Sequence, residues 1–180
     1  MKIGIIGAMD QEIKILKEQI ENPVSWERAG ALFVSGGIGR HEVILVRSGI
    51  GKVAASTITS LLIQRYGVNM VINTGSAGGI GEGLQVGDIV VSEKLAYFDV
   101  DVTGFGYKFG QLPAGMPLYF DASKYLIAEM TKAAEATEHH VRKGLIVTGD
   151  TFVNDPQKAA EIKRHFPDAL ANEMEGAVVA

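Results

Sequence analysis

Apolar runs of strand length alternate with stretches of helical periodicity along the whole chain, the pattern of a layered α/β domain. Residues 3–6 read as a buried strand, and over 9–20 the apolar Met9, Ile13, Leu16 and Ile20 recur at helical spacing. Residues 32–35 and 43–46 read as two strands joined by a turn over Gly36-Gly37-Ile38-Gly39-Arg40-His41. A helix is predicted over 52–66, a buried strand over 70–72, and two further strands over 89–92 and 95–100. The segment 102–120 is rich in Gly, Pro and aromatic residues and reads as a long loop. Beyond it the pattern predicts an amphipathic helix over 123–137 with Ser123 as N-cap, a central strand over 145–147, and a helix over 156–165 with Pro156 near its first position. No repeat or linker divides the chain, so a single domain over 1–180 is expected.

Composition narrows the class. The 47% hydrophobic and 21% charged content of the 180 residues describes a soluble globular protein with a substantial core. A net charge of −4 gives no electrostatic reason to expect a nucleic-acid or anionic-membrane partner. No apolar run is long enough to span a bilayer, and the Gly-interrupted start reads as a first strand rather than a signal peptide. With no Cys, disulfides, thiolate metal sites and a Cys nucleophile are excluded. The cytoplasm is the expected compartment.

Open α/β sheets bind ligands beyond the carboxyl ends of their strands. The segments expected at that rim are 8–12, 48–52, 73–79, 148–152 and the Glu173-Met174-Glu175 triplet. Gly51-Lys52 fails as a phosphate loop, because Val46 and Val53 stand where Gly and Ser or Thr are needed. Gly79-Ile80-Gly81-Glu82-Gly83 lacks the dinucleotide spacing. The histidines, His41, His139, His140 and His165, show no metal-ligand pattern and read as solvated. Ser76, in a turn whose small residues Ala77 and Gly78 let backbone approach a ligand, reads as a hydrogen-bonding group rather than a nucleophile. Met9, Ile50, Phe105 and Phe152 offer apolar or aromatic surface suited to an aromatic ligand. The acidic triplet by itself reads as a capped helix start, since acids favour the positive end of the helix dipole.

Taken together, these segments resemble the bacterial 5′-methylthioadenosine/S-adenosylhomocysteine nucleosidases. The resemblance is carried by Gly4-Ile5-Ile6-Gly7-Ala8-Met9 with Glu12, by Ser48-Gly49-Ile50-Gly51-Lys52-Val53, and by Ile72-Asn73-Thr74-Gly75-Ser76-Ala77-Gly78-Gly79. Val86-Gly87-Asp88-Ile89-Val90, residues 101–110 and Glu173-Met174-Glu175 continue it in order along the chain. It implies a three-layer α/β/α fold with a central mixed sheet, nucleoside phosphorylase-like, usually assembled as a homodimer, with no cofactor or metal.

The activity implied is hydrolysis of the N-glycosidic bond of an adenine thionucleoside. Carried over by position, Glu12 would be the general base for the attacking water, a task suited to a carboxylate beside a cationic, oxocarbenium-like sugar. Glu175 would accept a hydrogen bond from a ribose hydroxyl, Met174 would pack under the sugar, and Glu173 would support the site or touch the ribose. Phe152 would stack on adenine, with backbone groups of Phe152 and Val153 reading the purine edge. Ser76, Ala77 and Gly78 would help position the groups around the base, and Met9 and Ile50 would line the site. Val102, Phe105, Tyr107 and Pro113 would reach over from a partner subunit to cover the alkylthio tail.

The chain departs from the family pattern at Phe98, Gly104, Asp155-Pro156, Asn172 and Gly176. Family members also continue through another strand, a Ser-Asp dipeptide and a last helix, and that Asp is the acid that protonates the leaving adenine. The chain therefore reads as part of a longer nucleosidase; a 180-residue molecule would lack the acid and be inactive, with an open sheet flank. Two other classes stand beside this reading. A phosphorylase of the same fold needs cations for its phosphate, and the rim offers only Arg47 and Lys52 beside the repelling Glu12. A non-catalytic nucleoside-binding protein would share the same motifs.

Overall fold

The computed structural model describes residues 1–180, which divide into two units, Met1–Ser76 with Val179 and Ala77–Val178 with Ala180. The first unit runs β1 (Lys2–Gly7), α1 (Asp10–Glu18), β2 (Glu21–Arg28), β3 (Ala31–Ile38), β4 (His41–Arg47), α2 (Lys52–Gln64) and β5 (Met70–Asn73). Its five-stranded sheet has the order β2-β3-β4-β1-β5. β1 lies parallel to β4 and β5, whereas β2, β3 and β4 form an antiparallel meander.

Period-two alternation along these strands builds two apolar layers. Ile6, Phe33, Ile44 and Val46 pack with Ile58 and Leu62 of α2. Their strand neighbours Ile5, Val34, Val43 and Leu45 pack with Ile13 of α1 and Ile20 just beyond it. Strands covered on both faces have no polar side to present, which is why β1 and β4 read as continuous apolar runs.

The second unit runs β6 (Gly78–Gly79), β7 (Ile89–Tyr97), a 3₁₀ turn (Thr103–Phe105), β8 (Phe120–Asp121), α3 (Lys124–Glu135), β9 (Val141–Thr148), α4 (Pro156–His165), β10 (Ala169–Glu173) and a second 3₁₀ turn (Gly176–Val178). Its sheet order is β6-β10-β9-β7-β8, with β7, β9 and β10 parallel and the two short strands antiparallel. Ala96, Phe98, Leu145, Val147, Ile162, Phe166 and Ala169 form its main core. Both helices start where expected, capped by Ser123, which accepts from the Leu126 amide, and by Asp155, which accepts from the Gln157 amide at 2.9 Å.

The α/β class and mixed pairing are as expected, with the strands distributed over two five-stranded sheets where one was anticipated. Three local expectations change. The predicted turn over 36–41 shrinks to Gly39-Arg40, because Ile38 pairs with His41 and the strands run on to meet them. Gly36 lies within β3, and a Cβ there would sit 2.4 Å from the Glu21 carbonyl oxygen; the missing side chain admits the neighbouring strand rather than making a turn. The unpredicted β2 is an edge strand whose register shifts between Glu21 and Val24 around Pro23, the setting that tolerates proline. Finally, 89–92 and 95–100 do not form separate strands: β7 spans both as far as Tyr97, its register shifting between Ser92 and Lys94. The strand at 70–73 is half-buried throughout rather than fully buried.

Candidate active site

In the first unit the chemistry gathers where β1 hands over to α1. The N-cap Met9 is extended, and Glu12 occupies the third helical position, from which a carboxylate can reach back to the helix start. Glu12 Oε2 accepts from the amides of Ala8 at 2.8 Å and Met9 at 3.1 Å. Its Oε1 accepts from Ser76, the amide at 2.9 Å and the hydroxyl at 2.8 Å.

Ser76 arrives there through sheet geometry. β5 pairs with β1 up to Ile6 opposite Asn73, and the Thr74 amide donates to the Ile6 carbonyl at 2.9 Å. Gly75 then passes so close that a Cβ on it would stand 2.7 Å from Glu12 Oε1. Four donors thus meet a carboxylate with about four lone-pair positions. In the same unit, Arg47 pairs with Asp10 in the first turn of α1 at 2.8 Å. Gly49 and Gly51 take φ of +84° and +98° around Ile50, which is left 57% exposed at the start of α2.

In the second unit the carboxyl ends of β9 and β10 lie side by side, Thr148 opposite Glu173. Thr148 is fully buried, and its hydroxyl donates to Glu173 Oε1 while accepting from the Ala177 amide at 2.9 Å. Glu173 Oε2 accepts from the amides of Glu175 at 2.8 Å and Gly176 at 2.6 Å. The capping expectation for the acidic triplet is therefore met by Glu173, on a 3₁₀ turn rather than an α-helix. Met174 is half-buried and Glu175 is buried at 8% exposure. One residue before Glu173 on this strand, the Asn172 amide side chain donates to the carbonyl of Gly78, whose neighbour Ala77 is exposed.

The loop after β9 is held at its root by Asp99, whose Oδ2 accepts from the Asp150 amide at 2.8 Å. Along it Phe152 is 77% exposed, an aromatic face open to solvent, while Val153 packs against the unit's main core. Phe105, at 85% exposure, ends the 3₁₀ turn, with Val102 and Tyr107 half-buried and Pro113 exposed nearby in sequence. Asp101 anchors that turn: the hydroxyl and then the amide of Thr103 hold its carboxyl below the usual range. Burial, reinforced by Asp99, raises the Tyr97 phenol.

No three His, Asp or Glu residues are grouped so as to hold a metal ion. One histidine differs from the solvated expectation, half-buried His41 of β4, whereas His165 is exposed as expected, its ring stacked on Phe109 with centroids 3.8 Å apart. Among the expected site residues the fold joins Glu12 to Ser76, and Glu173 to the backbone of Glu175. Sequence reasoning placed Gly75 and Thr148 only within rim segments, with no part in holding a carboxylate, and did not single out Asp99. The one available signal was at Thr148, a hydroxyl ending an apolar strand run, where a buried polar group needs a partner.

The chain matches the model of the phosphorylase superfamily over residues 2–180. It is 47% identical over 181 aligned residues to the 5′-methylthioadenosine/S-adenosylhomocysteine nucleosidase of Bacillus thuringiensis (strain Al Hakam), covering 100% of this chain and 78% of the relative. Among solved structures it is similar to the Neisseria meningitidis nucleosidase of that name in complex with methylthio-immucillin-A. That match has a TM-score of 0.96 and 43% identity over 99% of this chain and 78% of the other. The Streptococcus pneumoniae MTA/SAH nucleosidase in complex with 8-aminoadenine matches with a TM-score of 0.93 at 46% identity, over 100% and 78% of the two chains. On this sequence and fold likeness, the chain belongs to the 5′-methylthioadenosine/S-adenosylhomocysteine nucleosidases of the phosphorylase superfamily.

Proposed function

We propose that this chain hydrolyses the N-glycosidic bond of 5′-methylthioadenosine and S-adenosylhomocysteine, releasing adenine and the corresponding thioribose. The observation that carries the reading, beside family membership, is the Glu12 carboxylate held by Ala8, Met9 and Ser76. In this reading Glu12 takes a proton from water as the water oxygen attacks the anomeric carbon and the bond to the base breaks. The departing adenine takes its proton from the Asp that the family resemblance places in the part of its relatives' length this chain does not span. Of the donors to Glu12 only the Ser76 hydroxyl turns about a single bond, so that hydroxyl is the one that can turn away and free a lone pair of Glu12 Oε1 for water. The negative carboxylate also favours the positive charge that develops on the sugar.

The remaining roles follow the same reading. Glu175 accepts from a ribose hydroxyl, Met174 packs under the sugar, and Glu173 supports both. Phe152 stacks on adenine, supported by its exposed ring, and backbone groups of Phe152 and Val153 read the purine edge. Met9, Ile50, Ala77 and Gly78 line the substrate. A homodimer, in which Val102, Phe105, Tyr107 and Pro113 of one subunit cover the alkylthio tail in the other, gives a use to the 85% exposed Phe105. Water rather than phosphate is the nucleophile, because Arg47 is engaged with Asp10 and Glu12 would repel an anion. The compartment we assign is the cytoplasm; no helix is long and apolar enough to cross a membrane.

Chromatographic measurement of adenine released from each thionucleoside, with and without phosphate, tests this. Equal rates in both buffers are expected. A rate that requires phosphate overturns hydrolysis, and binding without release converts the protein into a nucleoside receptor.

A further inference from the structure

The second unit contains a closed polar circuit that the activity does not require by name. Thr148 ends β9 with no exposed surface, and its register partner on β10 is Glu173. A hydroxyl has one proton to give and two lone pairs to share. Here the proton goes to Glu173 Oε1, and a lone pair receives the Ala177 amide at 2.9 Å. The other oxygen of Glu173 receives the amides of Glu175 and Gly176 at 2.8 and 2.6 Å.

The circuit begins on one strand, crosses to the next, and fastens the backbone on both sides of Glu175. By contrast, the starts of α3 and α4 are each capped by one exposed side chain from the adjoining loop, Ser123 and Asp155. The 173–177 turn is instead held by two side chains, Thr148 and Glu173, that engage three of its backbone amides. Thr also suits the place for its stiffness: a β-branched side chain has a restricted χ1, so the hydroxyl direction is set by the strand.

We propose that Thr148 is a positioning residue, which through Glu173 and Ala177 fixes the turn carrying the Glu175 carboxylate and so sets discrimination for ribose hydroxyls. This rests on the reading of Glu175 as the ribose ligand. Misplacing a positioned group by about 1 Å is enough to forfeit much of its effect.

The test is calorimetric binding of 5′-methylthioadenosine and of its 2′,3′-dideoxy analogue, in a Glu12→Gln background that suppresses turnover throughout, to the chain otherwise wild type, Thr148→Val and Thr148→Ser. The base and tail are the same in both probes, so the affinity ratio isolates the hydroxyls. The wild type should prefer the hydroxylated probe by about tenfold to a hundredfold, the range of a hydrogen bond to a charged group. Thr148→Val keeps the shape without the hydroxyl, and its preference should fall below about threefold while thermal melting still shows a folded protein. Thr148→Ser should restore most of the preference.

A folded Val variant with wild-type preference overturns the positioning role, as does a folded Ser variant without preference. A wild type with no preference overturns instead the assignment of Glu175, leaving the two failures distinct. Should the Val variant not fold, Thr148→Cys, similar in size but a weak hydrogen bonder, takes its place with the same outcomes.

Discussion

Glu12 and Glu173 solve the same local problem, each giving its carboxylate to backbone amides at the start of a helical turn, Glu12 reaching back and Glu173 forward, yet their surroundings fit them for different work. At Glu12 the opposing oxygen faces Ser76, an exposed residue whose hydroxyl rotates. At Glu173 it faces Thr148, fully buried, β-branched and engaged with the Ala177 amide. One carboxylate can exchange a partner for water without disturbing a core; the other cannot move without breaking a buried circuit. The difference teaches that a capping carboxylate becomes available for chemistry only when at least one of its donors can be given up cheaply.

The sharpest way to break this contrast is Glu12→Gln. The amide side chain keeps an oxygen for the helix-start amides but cannot take a proton from water. Adenine release should fall by roughly 10²–10⁴-fold, the usual worth of a positioned acid or base, with the melting profile little changed. A loss of less than about tenfold would remove Glu12 from the chemistry and make it a cap like Glu173.

Gly75→Ala probes the same carboxylate without altering it. The added methyl would stand 2.7 Å from Glu12 Oε1 and 2.9 Å from its Cδ, the end of a flexible side chain that can swing away. Displacement should therefore cost about 10²-fold in turnover while urea unfolding shifts little. A large loss of stability with a normal rate per folded molecule would mean that the backbone, not Glu12, had moved.

What could be read in advance divides along the same line. The apolar runs of β1, β4 and β9 announced themselves because strands covered on both faces leave no polar register, and Pro156 marked the start of α4. Glu12 and Ser76 were nominated from motifs, but their hydrogen bond spans 64 residues and depends on β5 pairing with β1. β2 was illegible because a solvated edge strand with Pro23 carries no apolar alternation. Within the acidic triplet, sequence could not decide which carboxylate caps and which is held for other use. That choice is made by the buried hydroxyl of Thr148, a partner 25 residues away on the neighbouring strand.

The comparison is tested from the other side by Glu173→Ala. Removing this carboxylate leaves the Glu175 and Gly176 amides and the Thr148 hydroxyl without the acceptor they now share. The expected cost is about 1–3 kcal/mol of folding stability by urea denaturation, the penalty of unsatisfied buried groups. Glu12→Ala, which removes an N-terminal cap with an exposed neighbour, should cost about 1 kcal/mol. If the order were reversed, the distinction between a scaffold and a reactive carboxylate would be lost.

The smallest effect concerns the ion pair at the mouth of α1. Arg47 and Asp10 meet at 2.8 Å with side chains 35% and 67% exposed, so water and salt screen their attraction. Asp10→Asn should cost only about 0.2–1 kcal/mol at low salt, and less as ionic strength rises. Its interest is chemical rather than energetic, since the change releases the guanidinium of Arg47 in the same unit as Glu12. If phosphate is rejected here partly because that cation is occupied, the variant should show a small phosphate dependence of adenine release that the wild type lacks. An unchanged response to phosphate would leave the Glu12 charge alone to exclude the anion, and the contrast between the two carboxylates would then rest wholly on their donors.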